Sequence, residues 1–285
     1  MKKILLCTDG SAYSQVSYEY AAWLARHMEV EIEVLYVTDS RGERAAQTAD
    51  FSGSIGIDSY QQLLKELVEV EAAKAKINHQ RAKIILKEAQ QFLSDRQVSR
   101  IELTHETGFL VDLFHELEKD SDLIILGKRG ENANFASEHL GANMERIVRS
   151  SHKPCLVTPR EYQPIQRVLL AYDGGKSCQK AIQYFTQSPA FKGLKLHIVT
   201  VDTGNTAKAR QHLESIKQSG LEQFNPILEL LSGKPEEEIA KYSAANDIDL
   251  LVMGAYGHNR IRHLIIGSTT AQTLRNSHLP VLMFR

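Results

Sequence analysis

Hydrophobic positions in this chain fall into two alternating kinds of segment. Short runs of continuous apolar residues recur, with Ile4 to Cys7, Leu123 to Leu126 and Leu250 to Met253 the clearest. Successive side chains of a strand point to opposite faces, so an unbroken apolar run fits a strand buried on both sides. Ile32-Glu33-Val34-Leu35-Tyr36-Val37 begins with alternation and then turns wholly apolar or aromatic. Between these runs lie amphipathic stretches of helical length. Such alternation predicts parallel sheets with helices on both faces. Strands are expected near 3–8, 31–37, 100–105, 122–126 and 155–158, and again near 167–172, 194–201, 226–231, 249–253 and 281–284.

The pattern runs twice because the sequence repeats. Ile4-Leu5-Leu6-Cys7-Thr8-Asp9-Gly10 matches Val168-Leu169-Leu170-Ala171-Tyr172-Asp173-Gly174. Asp122-Leu123-Ile124-Ile125-Leu126-Gly127 matches Asp249-Leu250-Leu251-Val252-Met253-Gly254. Arg149-Ser150-Ser151-His152-Lys153-Pro154-Cys155-Leu156 matches Arg275-Asn276-Ser277-His278-Leu279-Pro280-Val281-Leu282. Three blocks in one order indicate duplication: an α/β chain of two tandem doubly wound domains, 1–160 and 165–285, each with a five-stranded parallel sheet of Rossmann-like kind. The segment Arg160 to Arg167, with Pro164 and few apolar residues, reads as the linker.

The first half carries an insertion over about 40–95. It holds a Ser/Gly-rich piece, Phe51-Ser52-Gly53-Ser54-Ile55-Gly56, and then a helical pattern from Tyr60 to Leu93. Leu63, Leu64, Leu67, Val70, Ile77, Ile84 and Ile85 fall at helical spacing. A lengthened connecting helix packed on the sheet and a lid over a ligand both fit that pattern.

Composition narrows the functional classes. The 285 residues suffice for two ordinary cores, and 42% hydrophobic with 24% charged residues is a globular balance. A formal net charge of -1 gives no electrostatic case for nucleic acid or an anionic membrane. Cys7, Cys155 and Cys178 form no CxxC, and the first and second of them lie in strand-like runs, so buried structural thiols are expected. No apolar run reaches the roughly 18 residues of a membrane span. The apolar start after Met1-Lys2-Lys3 ends too soon, at Thr8-Asp9-Gly10, for a signal peptide. A cytoplasmic location is the expectation.

The candidate chemistry follows the run ending at Met253. Gly254-Ala255-Tyr256-Gly257, nine residues, then Gly267-Ser268-Thr269 reads as a strand, a glycine-hinged loop and a helix start carrying hydroxyls. Glycines permit close backbone approach, and free amides at a helix N-terminus meet an anion, so the pattern suits phosphate. His258, Arg260, Arg262 and His263 lie within this loop and could reach phosphates, with surface solvation the plainer role for at least two of them. In the first half the counterpart is Gly127-Lys128-Arg129-Gly130, ten residues, then Gly141-Ala142-Asn143. That loop is longer and lacks the hydroxyl pair. Lys128 and Arg129 add positive charge in compensation, while Glu131 and Glu138 oppose a triphosphate. Gly175-Lys176-Ser177 mimics the tail of a Walker A loop, but the required first glycine is Leu170 inside a strand. His258 and His263 do not have the spacing that puts two imidazoles on one helix face, so zinc has little support.

Together these motifs resemble the universal stress protein family in its tandem form. The resemblance rests on Asp9-Gly10 and Asp173-Gly174 ending the first strands, on Val37-Thr38-Asp39 and Val201-Asp202 ending the second, and on G-x2-G-x9-G-S/T, met in full by Gly254, Gly257, Gly267 and Ser268. It implies an adenine nucleotide α-hydrolase-like fold with nucleotide at the carboxyl ends of the strands, where open α/β sheets bind ligands. By position it assigns phosphate to Gly254, Gly257, Gly267, Ser268 and Thr269, and adenosine to Asp173 and the backbone of Val201. The degenerate set in the first half is Asp9, Val37, Gly127, Gly130 and Gly141, an altered or empty site. Each residue also has a plainer use: Asp173 and Ser268 could cap helices, and Gly254 and Gly257 could only turn the chain.

The resemblance further implies pairing of the halves through their last strands, Leu156-Val157 and Val281-Leu282-Met283, so that one chain imitates a dimer. The expected role is a regulatory module of the stress response that binds ATP, or ADP or AMP, in its second half and acts on an unidentified protein partner. Rival readings are a slow ATPase with Mg2+ or Mn2+ near Asp173, and a structural dimeriser without nucleotide. A homodimer of whole chains stays open.

Overall fold

The computed structural model describes residues 1–39, 57–131, 140–216, 219–255 and 268–285. In the first half, β1 (Lys3–Thr8), α1 (Ala12–His27) and β2 (Glu31–Asp39) are followed by the long α2 (Ile57–Asp95), then β3 (Ile101–Gly108), α3 (Leu110–Leu117), β4 (Leu123–Gly127), α4 (Ala142–Ser150) and β5 (Cys155–Thr158). The second half repeats the order with β6 (Arg167–Ala171), α5 (Lys176–Gln187), β7 (Lys195–Asp202), α6 (Thr206–Ile216), β8 (Ile227–Ser232), α7 (Pro235–Ala245), β9 (Leu250–Gly254), α8 (Ser268–Asn276) and β10 (Val281–Phe284).

All ten strands join one sheet in the order β3-β2-β1-β4-β5-β10-β9-β6-β7-β8. Within each half every pairing is parallel, as the unbroken apolar runs require. The halves meet where β5 and β10 pair antiparallel, with Val157 opposite Val281, Leu156 opposite Leu282 and Cys155 opposite Met283. The last strands of the two repeats therefore form the seam.

Two cores lie on opposite faces of this sheet. Ile4 and Leu6 of β1 enter one cluster with Tyr18, Trp23, Leu86 and Phe185, while Leu5 between them enters the other with Phe114, Met144, Ile239 and Leu274. The pleat of β1 thus feeds both faces, and α1, α2 and α5 cover one while α3, α4, α7 and α8 cover the other. The edge strands β3 and β8 are far less buried. Burial pushes the Cys7, Cys155 and Cys178 thiols up to about 12, which leaves them unreactive.

The α2 helix runs 39 residues. It is anchored by Ala82, Ile85, Leu86, Ala89 and Leu93, all inside the first core. Of the apolar positions expected to pack, only Ile85 does so: Leu67, Val70, Ile77 and Ile84 are 38–64% exposed, and the side chains of Leu63 and Leu64 lie outside the described residues. The reason is that α2 carries two apolar stripes, and the one that holds the sheet uses small residues, Ala82 and Ala89, which permit close approach. The expected Ser/Gly-rich piece, Phe51 to Gly56, lies outside the described residues.

Candidate functional site

In the second half the carboxyl ends of β6, β7 and β9 open onto a cavity of about 300 Å3. Asp173, Val201, Gly254 and Thr269, which sequence placed on three separate motifs, all line it. Gly257 and Gly267 lie outside the described residues, as do the side chain of Ser268 and residues His258, Arg260, Arg262 and His263. The apolar part of the wall comes from Ala171, Val199, Ala209, Ile239 and Met253. Thr269 and Thr270 bring the first turn of α8 to the rim, and Thr270 Oγ1 donates to Ala255 O at 3.1 Å, tying that turn to the end of β9. Gly254 sits close against α5: an added Cβ would lie 3.2 Å from the Ser177 Cβ. The cavity thus joins an apolar slot, a helix start and a carboxylate. Its size falls at the lower end of small-molecule pockets.

Asp173 Oδ1 accepts from Gly175 N at 2.8 Å, so it does cap the turn into α5 while still facing the cavity. Sequence reasoning missed the opposite wall, where Lys208 and His212 stand one turn apart on α6. The His212 ring packs on the Asp173-Gly174 turn so closely that a Cβ on Gly174 would come within 2.6 Å of its Nε2. Their i, i+4 spacing was the readable signal, but nothing in sequence said which face of α6 meets the cavity.

Among the described residues the first half is arranged differently. Its cavity, about 450 Å3, is lined by Asp9, Gly10 and Ser11 together with Ile77, Arg81, Ile84 and Ile85 of α2 and by Glu131. Of the degenerate set only Asp9 faces it; Val37, Gly127, Gly130 and Gly141 do not. The Asp9 carboxylate is committed on both oxygens. Oδ1 accepts from Ser11 N at 3.0 Å and Ser14 Oγ at 2.7 Å, and Oδ2 accepts from Glu131 N at 2.7 Å. Five residues beyond Asp173, the place of Ser14 is taken by Cys178, and a thiol is a weaker donor than a hydroxyl. Gly130 presses on Asp9, with room of only 2.5 Å between an added Cβ and Oδ2. Gly127 is also tight: an added Cβ would lie 2.8 Å from the Tyr13 Cβ. Above Asp9, Arg81 pairs with Glu131 at 2.6 Å, and Ile85 covers Gly10. The α2 helix therefore lies over the first-half aspartate, and protein groups occupy its hydrogen-bonding positions.

Lys128 does not compensate for the lost hydroxyls as its charge suggested. Its Nζ crosses the seam and donates to Arg275 O at 2.9 Å and Ser277 O at 2.8 Å, at the carboxyl end of α8. Arg285 does the reverse, donating from Nη1 to Arg149 O at 2.9 Å at the end of α4. Each signature helix is thus capped by a cation from the other half.

Other repeated residues prove to be structural pegs. Asp122 Oδ2 accepts from Lys2 N and Lys3 N, and Asp249 Oδ2 from Gln166 N and Arg167 N, so each carboxylate fixes the start of the neighbouring first strand. Burial alone would push the Asp122 carboxyl up; the two backbone hydrogen bonds, together with the charges of the N-terminus and Lys153, outweigh it and hold it below the usual range. Among the described residues no group of three His, Cys, Asp or Glu side chains is placed to hold a metal ion, and no helix is long and apolar enough to cross a membrane.

Comparison with known proteins identifies the family of the chain and matches its fold. The model of the universal stress protein family matches residues 1–159 and again 164–285. A universal stress protein of Synechocystis sp. is 53% identical over 289 aligned positions, covering 100% of both chains. The crystal structure of a universal stress protein from Archaeoglobus fulgidus matches with a TM-score of 0.70 at 25% identity, over 99% of this chain and 96% of that one. A putative universal stress protein from Pseudomonas aeruginosa shares the fold, with a TM-score of 0.63 at 14% identity over 100% of this chain and 93% of the other.

Proposed function

Because the chain belongs to the universal stress protein family over both of its halves, we propose that it is a nucleotide-responsive regulatory module whose second half alone binds ATP, or ADP or AMP. The observation that carries this reading is the convergence of Asp173, Val201, Gly254 and Thr269 on one cavity, against the committed carboxylate and covering helix at Asp9. Phosphates would rest on the glycine loop and on the first amides of α8, where the helix dipole favours negative charge. The apolar slot between Ala209, Ile239 and Met253 would take the base, with Asp173 and the Val201 backbone at its polar edge. Any accompanying Mg2+ or Mn2+ would be held through phosphate oxygens beside Asp173, supplying charge neutralisation there. Nucleotide in that cavity would bias how this cytoplasmic module meets a protein partner.

Titration calorimetry of the full chain with ATP is expected to show a single nucleotide per chain. The Ser268→Ala/Thr269→Ala double substitution should weaken it by roughly 10- to 100-fold, the loss of one or two hydrogen bonds to a charged group. Absence of any adenine-nucleotide binding, or a stoichiometry of two, would overturn the reading.

A further inference from the structure

We propose that Lys128, in the first half, is a positioning residue for the nucleotide site of the second half. The inference rests on the nucleotide reading above. Lys128 does not line the second-half cavity; it acts through α8. That helix presents Thr269 and Thr270 to the cavity at one end and receives the Lys128 ammonium on two carbonyls at the other.

The placement of Lys128 is firm at its base. Its N–H donates to Thr158 O at 2.9 Å, and its carbonyl accepts from Gly141 N at 3.0 Å, so β5 and the start of α4 fix the stem. From there the antiparallel β5–β10 pairing carries the side chain across the seam to α8. A cation at the carboxyl end of a helix satisfies orphan carbonyls and complements the dipole, as an anion does at the other end. Lys128 below and a phosphate above would therefore act on the same helix in the same sense.

The corresponding position in the second half, Ala255, has no such reach, and Arg285 caps α4 instead. The exchange is reciprocal in geometry but not in consequence. Of these two helices, α8 alone brings its first turn, Thr269 and Thr270, to the lining of the second-half cavity. The first-half glycine loop, without its phosphate partners, has thus become a support for the other half. A helix held at its carboxyl end keeps its first turn, with Thr269 and Thr270, at the rim of the cavity. Released, it is correctly placed only part of the time, and affinity falls by that fraction.

Lys128→Met keeps the aliphatic stem and removes the ammonium. It is expected to weaken ATP binding by roughly 3- to 10-fold, the usual range for a helix-end charge. Lys128→Arg should restore affinity to within about 2-fold, since a guanidinium can meet both carbonyls. Arg285→Met, which uncaps α4, should leave ATP affinity unchanged. In nucleotide-free protein, amide hydrogen exchange within α8 should quicken in Lys128→Met and not in Arg285→Met.

Unchanged ATP affinity in Lys128→Met overturns the proposal, and so does an equal loss in Arg285→Met, which would mean general weakening of the seam. If the wild-type chain binds no nucleotide, the functional reading falls first. The exchange experiment then still decides whether Lys128 holds α8, and unchanged exchange would sink that too.

Discussion

Asp9 and Asp173 end the first strands of the two halves, and what surrounds each carboxylate sets their different fates. Asp173 caps a turn and still faces a cavity, whereas Asp9 is held by Ser11 N, Ser14 Oγ and Glu131 N. Sequence showed both aspartates and the altered glycine loop after β4, but not that this loop folds back onto Asp9. That closure depends on Gly130 and on an amide, and amides carry no sequence signature. Gly130→Ala would push a methyl to 2.5 Å from Asp9 Oδ2 and break the Glu131 N–H contact. A loss of about 1–3 kcal/mol in urea unfolding is expected, the range for a disrupted charged hydrogen bond with overpacking, with ATP affinity intact. A stability change within about 0.5 kcal/mol would mean the loop gives way easily.

Elements were legible where one period dominated. Each expected strand is present, with ends shifted by a few residues at most, because unbroken apolar runs have one reading in a parallel sheet. The long helix was legible in extent but not in facing, since α2 carries two apolar stripes and sequence alone favoured the wrong one. Burial now ranks them. Leu93 is fully buried in the first core, while Val70 is 61% exposed. Leu93→Ala is expected to cost about 2–5 kcal/mol of unfolding free energy, the transfer and cavity cost of a packed leucine. Val70→Ala should stay within about 0.5 kcal/mol, as an exposed substitution does. Similar losses in the two variants would show that the exposed stripe of α2 is covered in solution.

At the scale of the whole molecule, duplication was legible in the repeats, and the joint through Leu156-Val157 and Val281-Leu282-Met283 was implied by the family resemblance, not by the repeats. The repeat implies two similar sheets, but their fusion into ten strands depends on the antiparallel register of β5 with β10, which no local pattern encodes. The same joint half-buries Lys128, whose contacts across the seam no reading of the glycine loop alone could supply. Burial, with Arg129 as neighbour, lowers its pKa from 10.5 to about 8, against the pull of the two carbonyls that favour the cation. The folded chain then holds this proton less tightly than the unfolded chain does. Between about pH 8 and 10.5 the unfolded state binds more protons at this site, so raising the pH stabilises the fold there. Below pH 8 the full cost of burying the cation is present, and above 10.5 it is gone. The unfolding free energy of wild type minus that of Lys128→Met is therefore expected to rise from pH 7.5 to pH 10, because subtraction removes the titrations common to both. A flat difference would mean that the α8 carbonyls hold the proton as firmly as water does, and the seam would then be fastened by a permanent charge.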